Sequence, residues 1–357
     1  MIEIISYPMP DYQVGDSRKY VQYKMLTMSF NDIDEAIEIV KQNEIDIIRI
    51  SPHHGFTRGN LDFILSMKNL FGIDIFDSKN IDISAIERCD HLKFVRIAQT
   101  PQPVNLSHLS GLVHLVVSWH HHMILPLPQK CNLKSLFISG YNYKTLESIP
   151  FYNSLIALSM NFGSVTSLTG LERFQSLKLY HHSYGKNLCD IRQLTKLPLL
   201  KDIELDHCKK IQIEGILEQC RKLKILKYFS CPNLPSLSFL HKLKDIEFFS
   251  FSNIDVKDGD MTPLLKLKYF GFYPNKKHFS HTLEEIRKIQ QKNDLSTTST
   301  NDTNSGFYTI TFDNGMEYHE EGCKSKINTF VKKIENEFQT KCARLQWSAT
   351  TPSSDSS

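Results

Sequence analysis

The residues of this chain best suited to chemistry are three histidine groups and eight cysteines. His53 and His54 are adjacent, His120, His121 and His122 follow Trp119, and His181 and His182 form the third group. A zinc site needs three or four ligands converging on one point at about 2.0–2.1 Å. Three consecutive residues project in different directions, so His120–His122 cannot close such a site alone. His120 and His182 are read at equivalent positions two repeat turns apart, roughly 9 to 10 Å at ordinary strand spacing. That is too far to share an ion, so no metal ligand and no cofactor is assigned. Cys208 and Cys231 end a repeated motif, while Cys89 and Cys220 fall at apolar positions, and all four read as small core residues. Cys131, Cys189, Cys323 and Cys342 have no base at a recognisable spacing. No GxSxG, P-loop, HExxH or dinucleotide fingerprint is present. No catalytic residue is therefore assigned. A metal-dependent or cysteine enzyme remains the alternative from a different class.

Composition narrows the classes further. Of the 357 residues, 41% are hydrophobic and 23% charged, as in a chain that buries a core. A net charge of +3 is too small to hold nucleic acid by bulk attraction. The first residues lack a basic start followed by an apolar run, so no secretory signal is read. No apolar segment approaches the ~18 residues of a membrane span. Scattered cysteines without CxxC pairs suit a reducing compartment, and the expected location is the cytoplasm.

The elements that position these residues are repeats. LKDIELDHC (200–208), LKILKYFSC (223–231) and LKDIEFFSF (243–251) share one grammar. Aligned on the first apolar residue, units start at Leu92, Leu112, Leu133, Leu155, Phe174, Leu200, Leu223, Leu243 and Leu267. Two weaker units begin at Ile45 and Leu70. The period near 22 predicts a solenoid. Within each unit the last apolar residues alternate with polar ones, which predicts a short strand. Ahead of the strand, apolar residues recur every third position, as in Ile83, Ile86, Cys89, Leu92 and in Ile191, Leu194, Leu197, Leu200. That spacing suits 3₁₀ turns. The fifth unit is started at Phe174 and not Leu177, which sends Leu177 and Leu179 inward and keeps His182 out of the core.

The pattern LxxLxLxxN/C, met by Leu200, Ile203, Leu205, Cys208 and by Leu223, Leu226, Tyr228, Cys231, resembles the leucine-rich repeat superfamily in its short, internalin-like class. The resemblance covers roughly residues 45 to 275. It implies an α/β leucine-rich repeat solenoid with a parallel concave sheet and a 3₁₀ or irregular convex side. It also implies a non-enzymatic scaffold that binds a macromolecular partner, such as an adaptor or an immunity-type inhibitor. The family's asparagine is replaced at Thr100, His120, Tyr141, Gly163 and Phe251, so an irregular ladder is expected.

Alternation places the variable residues on the concave face. In the last four turns these are Asp202, Glu204, Asp206; Ile225, Lys227, Phe229; Asp245, Glu247, Phe249; and Tyr269, Gly271, Tyr273. Phe229, Phe249 and Tyr273 are expected in one aromatic row and Glu204, Lys227 and Glu247 in one ionic row. A contiguous apolar strip rimmed by charge is what a protein partner contacts. The N-terminal part of the face carries Arg49, Phe76, Phe94, Arg96, His114 and Phe137, so the face is expected to be basic early and acidic late. Lys93, Lys134, Lys201, Lys224, Lys244 and Lys268 follow the first apolar residue of six units. This ridge is the basis of an RNA-binding alternative.

Residues 1–44 are expected to cap the solenoid with a helix bearing Ile33, Ala36, Ile37 and Val40 on one face. The solenoid spans 45–280, a helix and polar linker 281–306, and a small unit 307–345. That unit reads as a hairpin around Asp313-Asn314-Gly315, then a helix with Ile327, Phe330, Val331, Ile334 and Phe338. Residues 346–357 are expected to form a disordered tail.

Overall fold

The computed structural model describes residues 3–10, 20–28, 33–42, 44–51, 55–56, 59–76, 78, 81–98, 104–119, 127–295, 305–312, 317–323, 332 and 342–348. The expected helix at 327–338, apart from Lys332, and residues 349–357 of the expected tail lie outside the described residues, as do His53, His54 and His120–His122, while residues 346–348 belong to a strand instead of the tail. The chain divides into two compact units. Met1–Pro232 and Phe239–Ile246 form the first, Asn233–Ser238 and Glu247–Ser357 the second.

In the first unit, one hydrogen-bonding rule repeats from turn to turn. A single carbonyl accepts two successive N–H groups of the next turn. Phe71 O takes Lys93 and Phe94 (2.8 and 3.1 Å), and Lys93 O takes Val113 and His114 (both 2.9 Å). The series continues through Val113, Lys134, Ile156 and Lys178 to Lys201 O, which takes Lys224 and Ile225 (2.8 and 2.9 Å). The strands so joined are β3 (Ile47–Ile50), β4 (Gly72–Ile75), β5 (Phe94–Ile97), β6 (His114–Ser118), β7 (Ser135–Ser139), β8 (Ala157–Asn161), β9 (Leu179–Ser183), β10 (Asp202–Asp206) and β11 (Ile225–Phe229). They pair in parallel and in sequence order.

The convex returns are 3₁₀ turns, as the three-residue spacing predicts. In Ser84–Arg88, Ile86 N donates to Ile83 O and Cys89 N to Ile86 O, and Leu92 N then reaches Cys89 O. Each third residue thus points inward, and Ile83, Ile86, Cys89 and Leu92 are all buried.

The first edge of the ladder is closed by a hairpin that the sequence did not announce. β1 (Glu3–Pro10) runs antiparallel to β2 (Tyr20–Met28), and β2 pairs in parallel with β3. Met9 and Met25 bury with Ile47 and Phe94, and Ile5, Tyr7 and Tyr23 pack against that cluster. The expected cap helix is α1 (Ile33–Gln42), with Ile33, Ala36 and Val40 buried.

The second unit repeats the same chemistry in β12 (Phe248–Ser252) and β13 (Tyr269–Tyr273), which pair in parallel. α2 (Leu283–Leu295) starts at a capping box. Thr282 N donates to Glu285 Oε2 (2.7 Å) and Glu285 N to Thr282 Oγ1 (3.2 Å). Ile286 is fully buried, and Gln290 Nε2 donates to Leu265 O and Leu267 O, tying the helix to the last 3₁₀ turn. The expected hairpin is present as β14 (Ser305–Phe312) and β15 (Glu317–Cys323). β16 (Cys342–Ser348), not foreseen, pairs antiparallel with β14 on its other side.

Two repeat units start three residues later than the sequence reading placed them. The fifth begins at Leu177, so Tyr180 and His182 point inward and are fully buried, while Leu179 takes the first outward row beside Ala157, where both are buried. The eighth begins at Ile246, so Phe249 and Phe251 are the inward pair. Phe251 stacks on Phe272 at 5.2 Å, and Phe249 packs on Phe251 at 5.5 Å. Phe249 is therefore a core residue and not part of an exposed aromatic row. Asp245 and Glu247 precede β12 and do not lie on a strand. Glu247 instead takes the position that lysine holds in other turns, its carbonyl accepting Tyr269 N, and Lys244 leaves that row.

The residue just past each strand from β7 to β12 is left-handed. Gly140, Phe162, Tyr184, His207, Ser230 and Asn253 have φ between 48° and 75°. Left-handed conformation costs a side-chain-bearing residue roughly 1–2 kcal/mol. The return is a forward hydrogen bond: Gly140, Phe162, Tyr184 and His207 donate N–H to Asn161, Ser183, Asp206 and Phe229 carbonyls at 2.7–3.0 Å. Ring stacking adds to it, with Phe162 on Tyr184 at 4.9 Å and Tyr184 on His207 at 4.5 Å.

Two measurements check this core. Phe249→Ala is expected to cost about 3–5 kcal/mol, as deleting a buried ring does. Tyr273→Ala, at a 70% exposed residue, is expected to stay within about 0.5 kcal/mol. Equal losses in denaturant titrations would refute the register.

The second concerns pH. His182 Nδ1 is 2.8 Å from Tyr180 Oη, and its Nε2 has no partner among the described residues. Burial pushes its pKa down to about 4. The unfolded imidazole titrates near 6.5, so between those values the unfolded chain binds a proton that the native one does not. Stability at this site is whole above pH ~6.5 and falls as pH drops toward 4, by up to about 1.4 kcal/mol per unit. Half-buried His114, whose pKa desolvation also lowers to about 4, acts in the same direction. Comparing wild type with His182→Gln isolates the residue: the variant's profile is expected to be flatter, and parallel profiles would refute the claim.

Candidate functional site

The ladder register sorts the outward residues of the first unit into three rows. The first row contains Phe94, Ser135, Ala157, Leu179, Asp202 and Ile225, and all of these are buried. The open face begins at the second row. Its early part reads Thr27, Arg49, Asp74, Arg96, Val116. Its later part reads Phe137, Ser159, His181, Glu204, Lys227. The third row is low: Ala98, Ser118, Ser139, Asn161 and Ser183 separate exposed Phe76 from Asp206 and half-buried Phe229.

Each predicted contact residue now has a place. Asp202 faces outward but is fully buried, with Oδ1 3.2 Å from His181 Nε2. Lys227 is also buried, and its Nζ sits 3.2 Å from Glu204 Oε2. The expected ionic row thus exists between Glu204 and Lys227 and does not include Glu247. Asp206 accepts from His207 Nδ1 at 2.7 Å when that nitrogen is protonated. Tyr269, with Lys268 Nζ 4.9 Å from its ring centroid, and Tyr273 lie on β13 of the second unit. The structure keeps Phe229 and Tyr273 on the outward side of their own strands and removes Phe249.

The charged pairs shape one another's titration. Burial pulls His181 down, but the Asp202 carboxylate outweighs it and the pKa ends raised. Burial pulls Glu204 up, and Lys227 with His181 outweighs it, so Glu204 ends lowered. Asp206 ends raised because burial exceeds the pull of His207. The later half of the face is accordingly a set of compensated pairs rather than the acidic surface expected.

The early half is different. Arg49 Nε and Nη2 donate to Asp74 Oδ2 at 3.1 and 2.9 Å, and Arg96 Nη1 reaches the same oxygen at 3.4 Å. Asp74 was missed from the sequence because its turn, starting at Leu70, is one of the weak units. The signal was available: Asp74 is the central outward residue of Ile73-Asp74-Ile75.

The cysteine reading survives in refined form. Cys208 Sγ donates to His182 O and Cys231 Sγ to Leu205 O, both at 3.4 Å, so the thiols tie consecutive turns. Burial raises the Cys231 pKa strongly. In the His182 turn the equivalent position is Gly185, where a Cβ would meet His182 Nε2 at 2.8 Å. His182 fills the space that a cysteine fills in the next two turns. Among the described residues no group of three or more His, Cys, Asp or Glu could hold a metal ion. No helix among them is long and apolar enough to cross a membrane.

No protein-family model and no curated protein matches the sequence. Forty-six chains of known structure match it. Internalin C2 of Listeria monocytogenes is 14% identical over 51% of this chain and 73% of its own, with a TM-score of 0.35. A second internalin of that organism, inlF, is 14% identical over 64% and 79%, with a TM-score of 0.39. The leucine-rich repeat domain of APL1B is 13% identical over 72% and 89%, with a TM-score of 0.35. At these values the ladder of the chain itself has to carry the assignment. Its units start at Leu92, Leu112, Leu133, Leu155, Leu177, Leu200, Leu223, Ile246 and Leu267, spaced 20 to 23 residues apart. With inward residues at the fourth and sixth positions of each unit that are apolar or tyrosine except for His182, parallel strands and 3₁₀ returns, the chain has the fold of a leucine-rich repeat solenoid with a period close to 22 residues.

Proposed function

We propose that this chain is a non-enzymatic scaffold that binds a protein partner across the open face of its ladder, centred on Val116 and Phe137. The observation that carries this reading is the arrangement around those two side chains. They are half-buried on adjacent strands in the second row, beside a third row of small residues. Arg49 and Arg96 stand on one side of them, and the His181, Glu204 and Lys227 network on the other. An apolar centre with a charged surround is how protein contact sites divide affinity from orientation. Phe229 extends this surface, and Tyr269 and Tyr273 are contact candidates of the second unit. One dedicated partner, held as an adaptor or an immunity-type inhibitor would hold it, suits a surface so fixed in register. Thiols kept as hydrogen-bond donors at Cys208 and Cys231 favour the cytoplasm as the working compartment.

A photo-crosslinker tests this in the native cell. Placed at Phe137, p-benzoylphenylalanine is expected to capture a defined polypeptide, while the same group at exposed Lys196 on a convex 3₁₀ turn captures none. Capture at 196 alone, or none at 137, would overturn the reading.

A further inference from the structure

We propose that Arg49 and Arg96 form a clamp for a carboxylate of an acidic segment in the protein partner; the proposal rests on the scaffold reading and names the chemistry of its ligand. Two guanidiniums face one carboxylate. Asp74 is fully buried, and both arginines share its Oδ2, so one carboxylate serves two guanidiniums. Among the described residues no other acid stands on the outward rows between β2 and β6, which leaves one positive charge there uncompensated. His114, the remaining titratable group in the first row there, is held neutral by burial and adds no charge.

Donor count points the same way. A guanidinium carries five N–H donors. Arg49 commits Nε and Nη2 to Asp74, and Arg96 commits Nη1 to it and also hydrogen-bonds the Tyr7 hydroxyl. The remaining N–H groups belong to side chains 21% and 27% exposed, within reach of an incoming group. Both guanidiniums are also held against rings, Arg49 over Tyr7 at 5.8 Å and Arg96 over Phe76 at 6.0 Å. Packed arginines with spare planar donors match a carboxylate, which accepts two parallel N–H bonds. Asp74 Oδ1 is buried without a hydrogen-bond partner among the described residues, so the carboxylate meets both arginines through Oδ2 alone.

Spacing adds a second requirement. Val116 and Phe137 follow Arg96 on the next two strands, roughly 5 and 10 Å away at ordinary strand spacing. An extended segment crossing the strands brings residues i and i+2 to one side about 7 Å apart. The fitting ligand therefore carries an acid followed two residues later by an apolar side chain.

The test uses the full chain and two fluorescein-labelled peptides, acetyl-Gly-Ser-Glu-Ser-Leu-Ser-Gly-amide and its Gln counterpart, read by fluorescence anisotropy. The Glu peptide is expected to bind at least tenfold more tightly than the Gln peptide, with the difference shrinking as salt rises. Arg96→Gln leaves Asp74 paired with Arg49, and is expected to bring the Glu peptide to the Gln level without lowering the melting temperature. Should Arg96→Gln fail to fold, Arg96→Lys keeps the charge but loses the fork, and is expected to weaken the Glu peptide at least threefold. No binding of the Glu peptide, equal binding of both peptides, or unchanged binding in a folded variant overturns the clamp. The crosslink at 137, repeated in the Arg96→Gln background, separates the two readings. Its loss supports the clamp; its persistence sinks the clamp and leaves the scaffold standing. Its absence in the wild-type background sinks both.

Discussion

The interaction on which everything else depends is the shared carbonyl, one acceptor taking two N–H groups of the following turn. It repeats from Phe71 to Lys201 without a break. Because it uses only backbone, it tolerates Lys, Val, Ile or Phe at the accepting position and leaves the side chain to vary. It also fixes the step between turns at strand spacing and removes any freedom in register. Outward residues must therefore line up in rows, and neighbours in a row must be compatible. Arg49 with Asp74 and Glu204 with Lys227 are each the consequence of charges set side by side in that way, while His181 reaches diagonally to Asp202 of the first row. Like charges placed directly opposite would be destabilising.

A second device keeps the turns tied where the family's asparagine is missing. The left-handed residue after the strand points its N–H forward to the next strand, and in two turns a thiol points back to the previous one. The ladder is thus bonded in both directions at the strand's end. The position tolerates Phe, Tyr and His in a conformation that normally favours glycine because their rings stack along the stair. His182 shows how local such solutions are. A histidine in the core displaces the thiol, leaves room only for glycine at Gly185, and shares a hydrogen bond with Tyr180 in its own strand.

How much of this was legible in the sequence depends on the period consulted. The 22-residue repeat, the 3₁₀ returns, the α1 cap helix and the late hairpin all follow from patterns that survive a reading of one chain. The two misplaced units share a cause. Apolar residues every third position run from Leu168 through Leu171 and Phe174 to Leu177, and from Leu234 through Leu243 to Ile246. Such a run looks the same after a three-residue shift, so local pattern cannot say where the strand begins. The long period can: starting at Leu177 and Ile246 evens the spacing, and starting at Phe174 and Leu243 does not. Avoiding an inward His182 was the wrong tie-breaker, since Tyr180 supplies the partner that makes a buried imidazole tolerable. The β1–β2 hairpin escaped because antiparallel pairing outside the repeat leaves no periodic trace.

Loss of Phe249 from the open face changes what the surface can recognise. A row of three rings would have bound by apolar area, with little discrimination among partners. What remains on the first unit is a short apolar step, Val116 and Phe137, between groups of charges whose positions are fixed by sheet and ring contacts. Fixed charges lose little side-chain entropy on binding, so more of their interaction with a partner survives as affinity. They also repel a wrongly charged partner by as much as they attract the right one. On the proposed scaffold reading, selectivity on this face follows the partner's charge pattern, with the His181–Asp202 and Glu204–Lys227 pairs contributing little and the Arg49–Asp74–Arg96 group contributing most. On that reading a difference in net charge between two halves of one sheet face is enough to give a bound segment a direction.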